Sequence, residues 1–259
     1  MRILALGDVV GSVGCNALKK ILPKLKLDKN IDFCVANGEN SADGNGTLSQ
    51  SAEMLFSIGV DVITGGNHTY RRPEFLPYLD ENEFVIRPAN FPDNAAGEGS
   101  CIYDMGRCKV GVINLLGVVY LEPLANPFET VDKEIEKLKD ENCNIILVDF
   151  HAEATSEKKA MGFYVDGRVS ALFGTHTHIQ TNDLQILENG TGYITDLGMC
   201  GPKNSVLGVK PEIIIYKLKN HLPARFENAE GECIINGAIF DVEEKSGKCV
   251  NTEIISIEI

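Results

Sequence analysis

Five short apolar runs, each stopping at a glycine or a polar corner, constrain this chain more than any other feature. Residues 2–6, 31–36, 60–64, 144–150 and 168–173 read as buried strands. Between them lie helix-patterned segments. Ala17-Leu18, Ile21-Leu22 and Leu25 recur at helical spacing, with Pro23 expected to bend or shorten that helix. Thr47 is placed to cap a helix running to about Ser57. A short helix over 73–78 precedes an extended piece at 84–87, and 129–142 and 154–162 read as further helices. Residues 100–104 and 109–115 pattern as a strand pair turned at Gly106-Arg107. From Asp183 onward the pattern is strands joined by turns, at 184–187, 192–195, 212–217, 232–242 and 251–259, with 220–231 as a surface loop. The alternation predicts an α/β fold with helices on the outer face of a sheet, and the closing strands predict a second sheet packed on the first. No tandem repeat, low-complexity segment or linker interrupts the pattern, so one domain over 1–259 is expected.

Composition excludes several classes. With 44% hydrophobic and 24% charged residues, the 259-residue chain suits an ordinary globular protein with a sizeable core. No apolar run reaches the roughly 18 residues a membrane helix needs, and the N-terminal apolar stretch is short for a signal peptide, so a cytoplasmic protein is expected. Lys and Arg total 24 against 37 Asp and Glu, a net charge of −13. That balance argues against strong nucleic-acid or membrane binding, while leaving room for a nucleotide held through bound metal ions. The eight cysteines show no Cys-x-x-Cys spacing and are read as free thiols of a reducing compartment.

The polar corners carry the chemistry. Asp8, Glu39-Asn40, Asn67-His68, His151 and the pair His176/His178 each follow a predicted strand. Ligands of sheets with helical crossovers gather beyond the carboxyl ends of the strands. Each residue also has a plain reading: Asp8 as a turn cap, the asparagines as turn formers, His68 as a solvated loop residue, His151 as a satisfied core histidine. All of them falling by chance at one sheet edge is a far weaker account. In a strand, residues two apart point the same way, so His176 and His178 are expected to converge. His221, in the late loop, reads as a surface residue.

Carboxylate, imidazole and amide oxygen suit Mn, Fe, Zn or Mg. The donors exceed one tetrahedral site. Two ions about 3.5–4 Å apart need a carboxylate bridge, which Glu39 or Asp8 can supply, and such a pair binds a phosphate ester and acidifies a shared water for in-line attack. A histidine outside the metal set can then protonate the leaving oxygen.

Gly7-Asp8, Gly38-Glu39-Asn40, Gly66-Asn67-His68, Phe150-His151-Ala152-Glu153 and Gly174-Thr175-His176-Thr177-His178 resemble the five blocks of the calcineurin-like metallophosphoesterases. Gly7-Asp8-Val9-Val10-Gly11, the run from Val148 to Lys158 and Ile194-Thr195-Asp196-Leu197-Gly198-Met199 resemble the YmdB-like subfamily more narrowly. The resemblance spans nearly the whole chain. It implies a two-sheet sandwich flanked by helices in four layers (αββα), a dinuclear metal site and phosphodiesterase action on small phosphodiesters such as cyclic nucleotides, in a cytoplasmic homo-oligomer. It implies one ion held by Asp8, Glu39, Asn40 and His178, a second held by Glu39, Asn67, His151 and His176, and His68 as proton donor. Two positions depart from the broad pattern. Val10 stands where an imidazole is usual and Glu39 where Asp is usual; both departures occur in the subfamily.

Other readings stay open on the same residues: a phosphomonoesterase, an RNA nuclease, or a non-catalytic sensor of nucleotide or metal. Asp149 and Glu153 read equally as partners orienting His151 or as solvated acids. Tyr70-Arg71-Arg72 reads as a helix start with a solvated basic pair, with substrate contact as the alternative, and Thr175 and Thr177 are left between holding the loop and meeting substrate.

Overall fold

A computed structural model describes residues 1–43 and 45–259. In chain order the elements are β1 (Arg2–Leu6), β2 (Asp8–Val9), α1 (Gly11–Asp28), β3 (Phe33–Asn37), α2 (Ser49–Ser57) and β4 (Val62–Thr64). A 3-10 turn (Pro73–Phe75) leads into α3 (Leu76–Glu81), followed by β5 (Val85–Ile86), β6 (Ser100–Asp104), β7 (Lys109–Leu116) and α4 (Pro127–Asp140). Then come β8 (Ile145–His151), α5 (Thr155–Val165), β9 (Ala171–Thr175), β10 (Gln185–Ile186), β11 (Gly192–Ile194) and β12 (Met199–Pro202). The chain closes with α6 (Pro211–Asn220), β13 (Cys233–Val242) and β14 (Cys249–Glu258).

Two sheets result. The first runs β2-β12-β13-β1-β3-β4-β5, with β14 on the other edge of β13; the second runs β10-β11-β9-β8-β7-β6. Strand alternation divides the apolar residues into three cores. Ile3 and Ala5 of β1, with Phe33, Val35, Ala238 and Phe240, face Val110, Val112, Leu147, Ala171 and Phe173 of the second sheet. Leu4 and Leu6 turn the other way, onto Leu18, Leu22 and Leu25 of α1 and Ala52 and Leu55 of α2. On the far side, Val148 and Phe150 of β8 pack with Val131, Ile135 and Leu138 of α4 and Met161 and Val165 of α5. The layers are therefore helix, sheet, sheet, helix, the four-layer calcineurin-like sandwich that the motifs imply. Each fully buried Leu, Ile or Phe stabilises this arrangement by roughly 1.5–3 kcal/mol.

Several expectations need correction. The second sheet is built from the middle of the chain; the closing strands β12, β13 and β14 return to the first sheet, where β13 pairs antiparallel with β1. Residues 212–217 are not a strand but lie in helix α6. Their isoleucines mimic a strand, but Pro211 in the first turn, Glu212 near the start and Lys217 and Lys219 near the end favour a helix. Thr47 does not cap α2; its hydroxyl donates to the Gly38 carbonyl at 2.7 Å, and Leu48 stands at the N-cap. The helix expected to bend or shorten at Pro23 is not shortened but runs 18 residues, because burial of Leu18, Leu22 and Leu25 on β1 outweighs the lost hydrogen bond. Segment 220–231 is the expected loop, and His221 is exposed. The eight cysteines are all free, seven of them buried. No helix among the described residues is long and apolar enough to cross a membrane.

Candidate metal centre

Strands β1, β3 and β4 run parallel in the first sheet, as do β7, β8 and β9 in the second. Their carboxyl ends bring every candidate residue to one place. Asp8 opens β2, Glu39 and Asn40 follow β3, Asn67 and His68 follow β4, His151 ends β8, and His176 and His178 follow β9. The two histidines do not share a strand face, contrary to the alternation expected of them. They sit beyond β9 with φ of 96° and 62°, a left-handed backbone that turns both rings inward.

The tightest group surrounds His151, which is completely buried. Its Nε2 lies 3.0 Å from Asn67 Oδ1, 3.1 Å from His176 Nδ1 and 3.3 Å from Glu39 Oε1. The proton on this ring is placed by its other side. The Thr175 hydroxyl donates to Asp149 Oδ1 at 2.6 Å, so it accepts from His151 Nδ1 at 2.9 Å. Asp149 is buried and also accepts from Asn37 Nδ2 and the Thr64 hydroxyl. Of the two acids flanking His151, Asp149 therefore orients the ring, while Glu153 is half exposed and meets His176 Nε2 at 3.0 Å. That contact leaves His176 Nδ1 as the inward lone pair.

The second group lies across Glu39. His178 donates from Nδ1 to the Leu207 carbonyl at 3.0 Å, which turns Nε2 toward Asp8 Oδ1 at 3.6 Å and Asn40 Nδ2 at 3.3 Å. Asn40 Nδ2 also donates to Glu39 Oε1 at 3.0 Å, and Asn40 Oδ1 faces His68 Nδ1 at 2.8 Å. In this orientation the amide nitrogen lies among the acceptors; a half-turn of the amide would present its oxygen there instead.

Electrostatics set the charge this site demands. Burial would raise the Glu39 carboxyl, but His151 and His68 hold it well below the usual range. Burial raises Asp8, against the pull of His178 and His151. Burial should lower His151, yet Glu39 outweighs it and lifts the imidazole to about 9. Burial, and then the neighbouring His151, push His176 down to about 3, so it stays neutral. Asp8 Oδ1 is wholly buried with no hydrogen-bond donor among the described residues. Two buried carboxylates, one of them with an oxygen that meets no donor, converge with imidazole nitrogens and amide oxygens, a donor set that fits cations of the hard-to-borderline kind once His151 gives up its proton. Glu39, His151 and His176 offer donor atoms within 4.8 Å of one another.

Gly66 keeps this space open. A Cβ there would stand 2.3 Å from Glu39 Oε2 and 2.5 Å from the His151 ring. Gly66→Ala is expected to weaken divalent-cation binding by at least the roughly 10–100-fold typical of disturbing a ligand's support. Calorimetric Mn titration, with circular dichroism to check the fold, measures this.

Sequence reasoning missed the ion pair that shapes the histidine loop. Lys158, fully buried on α5, donates to the Thr175 carbonyl at 2.7 Å and to Asp196 Oδ2 at 2.6 Å. Asp196 accepts from the Thr177 backbone N–H at 3.1 Å and hydroxyl at 2.8 Å, and from Gly198 N–H at 2.8 Å. The pair thus grips the chain on both sides of His176. The signal was present: helical spacing places Lys158 on the same face as Met161, Gly162 and Val165. Tyr70, Arg71 and Arg72 stand apart from the cluster. Tyr70 donates to the Ala96 carbonyl, Arg72 holds the carbonyls of Asp43 and Asn45, and Arg71 is exposed.

The model of the family described as YmdB-like protein matches residues 4–255. The chain belongs to the YmdB-like family. Its relatives there include a 2′,3′-cyclic-nucleotide 2′-phosphodiesterase of Bacillus subtilis, 44% identical over 99% of this chain and 97% of that protein. Among solved structures, a protein of Thermus thermophilus described only as hypothetical superposes with a TM-score of 0.93 at 35% identity, over 100% of this chain and 99% of that one. A Mycoplasma pneumoniae protein described as a novel phosphatase does so with a TM-score of 0.93 at 36% identity, over 100% and 93% of the two chains. The Bacillus subtilis and Mycoplasma pneumoniae relatives are thus described as a phosphodiesterase and a phosphatase.

Proposed function

We propose that the chain is a metal-dependent phosphodiesterase acting on small phosphodiesters, with nucleoside 2′,3′- or 3′,5′-cyclic phosphates as its substrates. The observation that carries this reading is the buried convergence of Asp8, Glu39 and the His151, His176 and His178 nitrogens, with Asp8 Oδ1 meeting no donor among the described residues. The activity named for the Bacillus subtilis relative supports the cyclic-nucleotide class. Asp8, Glu39, Asn40 and His178 would hold one ion, and Glu39, Asn67, His151 and His176 the other, with Glu39 shared. The grouping of distances on either side of Glu39 favours this division. Iron or manganese fits the mixed oxygen and imidazole set best, with Zn or Mg as lesser fits. Such ions supply Lewis acidity toward phosphoryl oxygen and acidify a water for attack.

The chain's own residues do the rest. Glu39 and Asp8 supply negative charge in a buried setting, where electrostatic interactions are strong. His68 lines the cavity above the cluster. Its Nδ1 lies 3.2 Å from Glu39 Oε1, an acceptor that stays in place when the Asn40 amide turns, and its backbone N–H donates to Glu39 Oε2 at 2.9 Å. Nε2 is left to give a proton to the leaving oxygen.

The test offers the purified protein, with Mn or Fe, a panel of 2′,3′- and 3′,5′-cyclic nucleotides, bis(p-nitrophenyl) phosphate and p-nitrophenyl phosphate. Metal-dependent hydrolysis of the diesters, faster than of the monoester, is expected. His68→Ala should slow cyclic nucleotides by roughly 10²–10⁴-fold. It should slow the p-nitrophenyl diester far less, because p-nitrophenolate leaves without a proton. Absence of diester turnover with either metal overturns the reading.

A further inference from the structure

The cavity over the cluster has two kinds of wall. Its volume is about 440 Å³, within the usual range of small-molecule sites. Its polar part includes Glu39, Asn40, His68, His176 and His178, and Val206, Leu207, Val209, Ile214 and Phe226 belong to an apolar part that phosphoester chemistry does not require. Leu207 and Phe226 are 45% and 42% exposed, so this apolar surface is open beside charged ligands.

The apolar wall is a built structure. Val206 and Val209 exchange backbone hydrogen bonds at 2.8 and 3.0 Å around Leu207 and Gly208, which have φ of 53° and 96°. The Ser205 hydroxyl accepts from Gly208 N–H at 2.9 Å. The Phe226 segment is laced to this turn by Lys210 N–H to the Glu227 carbonyl at 3.0 Å and Ala229 N–H to the Gly208 carbonyl at 2.9 Å. The same turn contacts the cluster directly, since the Leu207 carbonyl holds His178. Val10, the residue standing where an imidazole is usual, supports it. A Cβ on Gly208 would lie 2.5 Å from Val10 Cγ1, so the valine and the glycine fit closely together. Lys217 Nζ lies 4.5 Å from the centre of the Phe226 ring.

We infer that the Leu207–Val209 turn, Ile214 and Phe226 form a nucleobase subsite, with the base against this wall and the phosphodiester at the cluster. The inference rests on the functional reading above and adds to it the part of the substrate that carries no reacting atom. The wall contributes apolar and aromatic surface, and stacking is tolerant of base identity. Binding should therefore discriminate nucleotide from base-less phosphate more than one base from another.

Binding and turnover test it separately. Calorimetry on Mn-loaded protein compares adenosine 3′-phosphate with ribose 3-phosphate, and kinetics compare 2′,3′-cyclic AMP with glycerol 1,2-cyclic phosphate. The wild type is expected to bind the nucleotide about tenfold or more tighter than the sugar phosphate, the range that one stacked base supplies. Phe226→Ala should remove most of that preference and raise KM for 2′,3′-cyclic AMP alone, while Phe226→Tyr keeps both. Equal affinity for the two phosphates in the wild type, or an unchanged preference in Phe226→Ala, overturns the subsite. Nucleotide preference without turnover of either cyclic ester sinks the enzymatic reading and leaves the subsite standing.

Discussion

Glu39→Gln is expected to lower diester turnover by more than about 10³-fold while the protein stays folded. The substitution keeps the size and shape of a side chain that is 1% exposed, and its amide oxygen can still accept from the His68 backbone N–H. The charge is what disappears. Glu39 Oε1 lies 3.3 Å from His151 Nε2 and 3.2 Å from His68 Nδ1, and it accepts from Asn40 Nδ2 at 3.0 Å. A bridging position contributes several kcal/mol of charge stabilisation, and each 1.36 kcal/mol is a factor of ten in rate. The His151 imidazole, lifted to about 9 chiefly by Glu39, should titrate lower in the variant. Metal content by plasma mass spectrometry, kcat on a cyclic nucleotide and a histidine NMR titration together make the check. A variant holding a full complement of metal and near-normal kcat would remove Glu39 from the bridging role.

Lys158→Met should be the most damaging single change outside the cluster. It leaves Asp196, 1% exposed, with its charge buried and its cation gone. Removing one partner of a buried pair costs about 3–5 kcal/mol. The damage is also local in kind, because Asp196 and Lys158 hold Thr175 and Thr177 on either side of His176. The expected result is a lower urea midpoint together with weakened metal binding. Lys158→Met combined with Asp196→Asn should recover much of the stability, since no uncompensated charge remains. Metal affinity should stay low, because the lysine's hold on the Thr175 carbonyl is still missing. Recovery of both properties in the double variant would show that the pair supports only the fold.

The strands that carry the cluster were legible because their signals are local. The runs at 2–6, 31–36, 60–64 and 144–150 lie within a few residues of β1, β3, β4 and β8, and each polar corner follows directly. Asp149 shows the limit of that reading. Its sequence neighbours could not distinguish a solvated acid from a buried one; its partners Asn37, Thr64 and Thr175 come from three other segments. Helix α6 shows another. None of its residues is buried, so no apolar periodicity marks it, and its isoleucines alone suggest a strand.

By itself, the sequence determined the α/β class, the ordered set of corner residues and the family those corners resemble. These depend on period-two alternation and on residue types at strand ends, which neighbours along the chain dictate. Tertiary structure alone decided which sheet the closing strands join, how His176 and His178 turn inward, and what holds them there. Those outcomes depend on contacts across long separations: β13 against β1, Asp8 against the His176 backbone N–H, and Lys158 against Asp196. The pair beyond β9 therefore converges through left-handed backbone and a buried ion pair, and the strand geometry that first suggested the convergence stops one residue short, at Thr175.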